Sequence, residues 1–388
     1  MRPGARVAAA IEILEDINEG LAAEQALTRW ARRSRYAGSK DRAAIRDHVF
    51  DVLRCKPLAA HYGRGHDGRA LMLGLLHLQQ ADIESLFSGD GHAPSPLTPE
   101  EAEFPSPPEG TAVQWCLPEW LVPLFKASLG TEAAATARAL QSRAPTVLRV
   151  NLARTNRDDV RIMLADQGVE TQINPLGDAA LTVTDGLRRI RNSDCYADGL
   201  VELQDAASQA VVAALPAGGR VLDYCAGGGG KALALAMDET RSVFAQDVDP
   251  TRMADLPNRA ARAGAQVQMV ETQELAEHSP FDVVLCDAPC SGSGAWRRAA
   301  EGKWTLTSTR LDALTQIQDS ILDAAADLVA PQGVLAYATC SILTVENEDR
   351  VKAFLDRNDG WQCTYQRRFD VDTCGDGFFT AQLTRVST

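Results

Sequence analysis

Two cysteines stand where this sequence could do covalent chemistry. Asp287-Ala288-Pro289-Cys290-Ser291-Gly292-Ser293-Gly294 follows the apolar run Phe281 to Cys286, and Ala338-Thr339-Cys340-Ser341 follows Val334 to Tyr337. If the two runs are neighbouring parallel strands, they lie about 4.8 Å apart and both thiols sit beyond their carboxyl ends, where open α/β sheets bind ligands. Two thiols then face one crevice, and a thiolate there is a nucleophile. The ordinary fate of a cysteine taken singly is that of a small buried hydrophobe.

A second constellation is Val221-Leu222-Asp223-Tyr224-Cys225-Ala226-Gly227-Gly228-Gly229-Gly230-Lys231, a strand running into a glycine loop and then a helix. Glycines there let backbone approach a ligand at a helix N-terminus. A phosphate-cradling G-x-x-x-x-G-K-[ST] loop is excluded, because Tyr224 replaces its first glycine and Ala232 its Ser or Thr. A dinucleotide and S-adenosylmethionine both remain, since Asp247 at the end of the next strand is placed to bind a ribose. A glycine turn with no ligand is the third reading.

These loops need elements to hold them. The chain has 388 residues, enough for two or three domains at roughly 150 residues each. Apolar residues make up 45% and charged residues 23%, which excludes a disordered or collagen-like chain. No apolar stretch approaches a membrane span or signal core, so a cytoplasmic protein without membrane attachment is expected. The nine cysteines include no C-x-x-C pair, which argues against a disulfide framework and a zinc ribbon; no metal site is expected. The net charge of −13 argues against indiscriminate polyanion binding. From Arg29 to Lys56, however, nine basic residues face three acidic ones.

Val7, Ile11, Leu14, Ile17 and Leu21 recur at helical spacing, as do Ile45, Val49, Val52 and Leu53, so the first third reads as a helical bundle. Six prolines between Pro94 and Pro108 make residues 88–110 a loop. Two helices then lead to a small α/β insert, with strands at Val147–Asn151 and Ala180–Val183 about a helix from Arg157 to Gln167. From Arg220 onward short apolar strands alternate with helices, as in a parallel sheet covered on both faces. Trp361–Gln366 and Phe378–Thr384 read as two final strands.

With these motifs in place, the chain resembles the RsmB/Nop2/Sun family of RNA cytosine-5 methyltransferases. Gln204-Asp205-Ala206-Ala207-Ser208 matches the family's pre-sheet motif, Asp223 to Lys231 its cofactor loop, and Asp287 to Cys290 and Thr339 to Ser341 its two cysteine motifs. Pro145, Arg149 and Asn151 resemble its P-x-x-x-R-x-N element. Asp41 to Arg46, continued to Leu53-Arg54, resembles the NusB-like helical domain of the bacterial 16S rRNA member, and Gly375 to Phe379 also fits.

The resemblance implies a class I S-adenosylmethionine-dependent methyltransferase domain with a Rossmann-like sheet at 199–388. It would be preceded by an all-α NusB-like domain at 1–135 and a small α/β RNA-binding subdomain at 136–198. It implies Cys340 as a nucleophile at cytosine C6, Cys290 as the thiol assisting release, Asp287 on the polar edge of the base, and Lys231 orienting loop and base. A plain surface lysine is the alternative for Lys231. The implied cofactor contacts are Asp223, Cys225, Ala226, Gly227, Gly228, Gly229, Gly230, Lys231, Asp247, Arg252 and Asp287. The implied RNA contacts are Arg149, Asn151, Arg32, Arg33, Arg42 and Arg46, with 16S rRNA as partner to a monomer. Trp296, Arg297, Arg298, Lys303 and Trp304 interleave rings with cations, a pattern suited to stacking on RNA or, alternatively, to an ordinary core.

The sequence departs from the family at two places. Gly227 and Gly228 stand where the loop usually reads Ala-Pro, which loosens the turn. After the third strand, Val270 to Glu274 offers Glu271 or no residue for the adenine. A tRNA substrate, and an RNA-binding homologue with impaired catalysis, are the competing readings.

Overall fold

The computed structural model describes residues 1–386; residues 387–388 of the expected catalytic span lie outside the described residues. The chain forms two compact units, Met1–Arg143 with Trp296–Thr305, and Ala144–Ala295 with the chain from Leu306 onward.

The first unit is helical. Its main elements are α1 (Pro3–Asn18), α2 (Ala23–Arg33), α3 (Ser39–Arg54), α4 (Lys56–Gly63) and α5 (Gly68–Leu78). Val7, Leu14, Ile45, Val49, Val52 and Leu53 of the expected stripes are buried in its core, while Ile11, Ile17 and Leu21 are partly buried against it and Ile13, outside the expected stripe, is fully buried. Residues 88–110 carry no helix or strand.

Residues 296–305 belong to this unit, and the burial of Trp296, Arg297 and Lys303 favours the core alternative for them over RNA stacking. Trp296 is 1% exposed and stacks on Phe125 with ring centres 6.0 Å apart. Ala300 lies in the helical core. Lys303 Nζ donates to the Arg54 carbonyl at 2.6 Å, and Trp304 Nε1 to the Leu53 carbonyl at 2.7 Å. These carbonyls end α3 and lack intrahelical partners, so the segment satisfies groups a helix C-terminus leaves open. Burial brings the Lys303 ammonium down to about 8.

The second unit holds two sheets. β1 (Thr146–Val150), β2 (Glu170–Ile173), β3 (Ala180–Asp185) and β4 (Val201–Leu203) form an antiparallel sheet in the order β2-β3-β1-β4. Arg157–Asp166 is helical, begun by Asn156, whose side chain accepts from the Asp159 amide at 2.9 Å. The sheet therefore extends past the expected boundary at 198. β2 and β4 are four and three residues long, too short for alternation to declare them.

The large sheet comprises β5 (Gly219–Asp223), β6 (Arg241–Ala245), β7 (Val267–Met269), β8 (Phe281–Asp287), β9 (Val329–Thr339), β10 (Trp361–Phe369) and β11 (Phe378–Arg385). Its order is β10-β11-β9-β8-β5-β6-β7, parallel except at β11, which pairs antiparallel with both neighbours. This is the Rossmann-like methyltransferase sheet expected. Val221, Leu222, Val283, Val284, Leu335 and Ala336 are all at or near zero exposure, as a sheet covered on both faces requires. β8 and β9 are neighbours, with Asp287 opposite Ala338, so Cys290 and Cys340 follow the paired residues by three and two positions.

Candidate active site

The glycine loop leaves β5 at its carboxyl end and enters the helix Gly230–Leu235. Gly227 and Gly229 adopt φ of +52° and +77°, the left-handed region open to glycine. The turn is fixed from β6: Asp247 Oδ2 accepts from the Gly227 amide at 2.8 Å, and Arg252 lies 3.2 Å from the same oxygen. It is fixed also from the small sheet. Arg149 Nη1 donates to the Gly230 carbonyl at 2.8 Å and to Gln204, whose own amide donates to the same carbonyl at 3.2 Å.

A cavity of about 960 Å³ opens on this loop. Cys225, Ala226, Gly227, Gly228, Gly230 and Lys231 reach it from the loop, and Asp247 and Arg252 from beyond β6. Asp287, Cys290 and Cys340 form another part of the same wall. Two expected cofactor residues do not reach it. Asp223 is wholly buried, and Gly229 packs on Leu256, whose methyl a Cβ would approach to 2.3 Å.

Arg149 and Asn151 also differ from expectation. They are 4% and 8% exposed, and Asn151 Nδ2 donates to the carbonyls of Gly199 at 3.1 Å and Ala263 at 2.8 Å. Both spend donors on this chain's own groups, Arg149 on Gln204 and the Gly230 carbonyl and Asn151 on two backbone carbonyls, so each braces the fold around the glycine loop. Burial lowers the Arg149 guanidinium to about 10, which leaves it cationic at neutral pH. Arg32, Arg33, Arg42 and Arg46 are exposed on α2 and α3 of the helical unit. Arg33 lies 3.2 Å from Glu12, Arg46 pairs with Glu24, and Arg42 Nε donates to the Ala37 carbonyl at 2.9 Å.

Lys231 is 7% exposed, not a plain surface lysine. Its Nζ lies 2.5 Å from Asp287 Oδ2. Burial alone would lower its pKa, but Asp287 and then Asp223 outweigh it and the net displacement is upward. Asp223 moves the other way from a free carboxylate: burial, then the neighbouring Asp287 charge, pushes it up to about 7.

The Sγ atoms of Cys290 and Cys340 lie 3.4 Å apart. The sulfur–sulfur hydrogen bond, then burial, holds the Cys290 thiol well above the usual range. Backbone joins the two loops beneath: the Gly294 amide donates to the Cys340 carbonyl at 2.9 Å, and the Gly377 amide to the Gly294 carbonyl at 3.0 Å. A Cβ on Gly294 would stand 2.0 Å from the Gly377 carbonyl oxygen, so only glycine permits this approach.

The sequence reading missed several contributors. Glu346 and Asn347, both wholly buried, bind the cysteine loops from below. The helix Ser308–Ala326 supplies Gln316, Ile317 and Ser320 to the cavity. Val248 and Ile317, 86% and 46% exposed, give it an open apolar lining suited to a flat ring. Thr272, not Glu271, lines it beyond β7, accepting from Gln246 at 2.7 Å. A bare glycine cradle, a carboxylate at the end of β6 and this apolar lining fit S-adenosylmethionine.

The fold and cavity define a Rossmann-like methyltransferase. The family described as 16S rRNA methyltransferase RsmB/F matches residues 210–384, and the RsmF/B-like ferredoxin-like domain matches residues 117–188. The ribosomal RNA small subunit methyltransferase B of Cronobacter sakazakii is 34% identical over 298 residues, 73% of this chain and 68% of that protein. The protein of the same name from Vibrio cholerae is 35% identical over 248 residues, 62% of this chain and 57% of that one. The chain belongs to the RsmB/F family of rRNA methyltransferases, whose methyl donor is S-adenosylmethionine.

Solved structures agree on the fold. The crystal structure of PH0851 superposes with a TM-score of 0.76 at 22% identity, covering 99% of each chain. NSun6 from Pyrococcus horikoshii, solved with SFG, gives 0.61 at 18% identity over 70% of this chain and 99% of its own. The helical unit fits the NusB-like domain expected of it. Among the described residues no helix is long and apolar enough to cross a membrane.

Proposed function

We propose that this chain methylates carbon 5 of a cytosine in 16S rRNA, with Cys340 adding at C6 and Cys290 assisting release. The observation that carries this reading is the pair of sulfurs 3.4 Å apart on the wall of the cavity that begins at the glycine loop. Cytosine C5 is too weak a nucleophile to take a methyl group unaided. Addition of the Cys340 thiolate at C6 shifts the C5–C6 electron pair toward C5, dividing one hard step into easier ones. Cys225 to Gly228, Gly230 and Lys231 would hold S-adenosylmethionine, which would supply an electrophilic methyl to C5, the pair of the broken S–CH3 bond staying on the donor sulfur.

Asp287, anchored by Lys231, accepts hydrogen bonds from the base and fixes its orientation. After methylation the C5 proton leaves to a base and the C6–S bond breaks, its electron pair returning to the Cys340 sulfur. Cys290, held as a thiol, donates to that departing sulfur and steadies its charge. The target base must leave its stack to reach the sulfur. Arg32, Arg33, Arg42 and Arg46 would meet backbone phosphates, because exposed ion pairs such as that of Arg33 are weak enough to exchange partners. A cytoplasmic monomer is the setting this reading implies.

The test is methyl transfer from labelled S-adenosylmethionine to unmodified 16S rRNA, mapped by bisulfite sequencing. One protected cytosine, lost with Cys340→Ala, is expected. Transfer to a nitrogen atom, or to tRNA alone, would overturn the reading.

A further inference from the structure

Glu346 is buried completely beneath the two cysteine loops, in the turn Thr344–Glu346 that follows β9. Its Oε1 accepts from the Ser291 amide at 2.7 Å and from Gln318 Nε2 at 3.2 Å. Its Oε2 accepts from the Ser341 hydroxyl at 2.6 Å and from the Ser291 hydroxyl. Ser291 follows Cys290 in sequence and Ser341 follows Cys340, so one carboxylate holds both neighbours of the two sulfurs.

Asn347, also fully buried, treats Cys340 alone. Its Oδ1 accepts from Thr339 Oγ1 at 2.6 Å and its Nδ2 donates to the Ser341 carbonyl at 2.9 Å. Those are the residues on either side of the thiol. The Tyr337 hydroxyl, on β9, fixes the clamp itself by donating to the Glu346 carbonyl at 2.6 Å.

A buried carboxylate is costly unless hydrogen bonds satisfy it, and here all four come from neutral donors. Such a network is rigid when complete and unstable when broken. Neither Glu346 nor Asn347 lines the cavity, so neither touches base or methyl donor. We propose that Glu346 and Asn347 are positioning residues that set the separation of the Cys290 and Cys340 sulfurs, and thereby the balance between forming and releasing the covalent RNA intermediate. The second half of this inference rests on the function proposed above; the first rests on geometry alone.

The experiment has two readouts on the full-length protein. The first is bridging of Cys290 to Cys340 by dibromobimane, which alkylates both sulfurs of adjacent thiols, scored by peptide mass spectrometry without RNA. Glu346→Ala and Ser341→Ala should lower the bridged fraction at least threefold, and Glu346→Gln, which keeps the shape and can bond rotated serine hydroxyls, should recover at least half of it. The second is covalent adduct with 16S rRNA in the presence of S-adenosylmethionine. Glu346→Ala and Ser341→Ala should accumulate adduct above the wild-type level while binding the cofactor within twofold of wild type.

Wild-type bridging and wild-type adduct in both alanine variants would overturn the inference. If Glu346→Ala does not fold, Ser341→Ala, which removes one hydroxyl, decides. Cys290→Ala serves as the control: absence of adduct in that variant refutes the proposed function, while the bridging result still decides the positioning role.

Discussion

Arg149, on a strand of the small sheet, donates to the carbonyl of Gly230, the last glycine of the cofactor loop, at 2.8 Å. A buried cation thereby holds the backbone proposed to cradle the methyl donor. Charged hydrogen bonds of this kind contribute about 1.5–3 kcal/mol. Arg149→Met should therefore weaken S-adenosylmethionine binding by roughly tenfold or more, since 1.4 kcal/mol is a factor of ten. Calorimetric titration checks this; unchanged cofactor affinity together with weakened RNA binding would return Arg149 to the RNA-contact role.

The thiol pair makes a prediction of its own. Cys290→Ala should trap protein on RNA as a species resistant to denaturing gels, because Cys340 still adds but its departing sulfur lacks a donor. Cys340→Ala, and the double variant, should show no such band. A band in the absence of Cys340 would assign the nucleophile elsewhere.

Asp223 predicts a pH dependence. Its folded-state pKa of about 7 lies above the value of 3.8 for a free carboxyl. The stability linked to its protonated form is thus fully present below pH 3.8 and is lost as pH rises through about 7. Ionising it in the fold costs on the order of 4 kcal/mol. The unliganded wild type should lose melting temperature between pH 5 and pH 8, and Asp223→Asn should flatten that slope and melt several degrees higher at pH 8. Parallel melting curves for the two proteins across this window would exclude the ionisation.

Trp296 separates a core role from an RNA role. At 1% exposure and stacked on Phe125, its replacement by Ala should destabilise the helical unit by about 3–5 kcal/mol. Denaturant unfolding measures this. Full stability with impaired RNA binding would show that the ring faces substrate.

Much of this arrangement was legible from residue order. The short apolar runs announce the parallel sheet because strands buried on both faces need no polar alternation. Once β8 and β9 are neighbours, the sulfurs must converge, and they do. Direction was less legible. An RNA contact at Arg149 was implied by its match to the P-x-x-x-R-x-N element, and the packing of the small sheet turns the side chain inward. Trp296 and Lys303 have the composition of a nucleic-acid surface, and their burial depends on distant partners in the helical unit: Trp296 stacks on Phe125, and Lys303 meets the Arg54 carbonyl that ends α3, some 250 positions earlier. Glu346 and Asn347 precede the helix Glu348–Arg357, where polar residues ordinarily cap; nothing local says that they point into the fold.

Residues 296–305 make the two units inseparable by a single cut. A shortened protein beginning at Ala144 would retain this ten-residue strap but lose the helices that enclose it, leaving Trp296, Ala300 and Lys303 facing water a few positions from Cys290. Exchange of helical domains between relatives must carry the strap along with residues 1–143, or the chimera will hold a tether with nothing to grip.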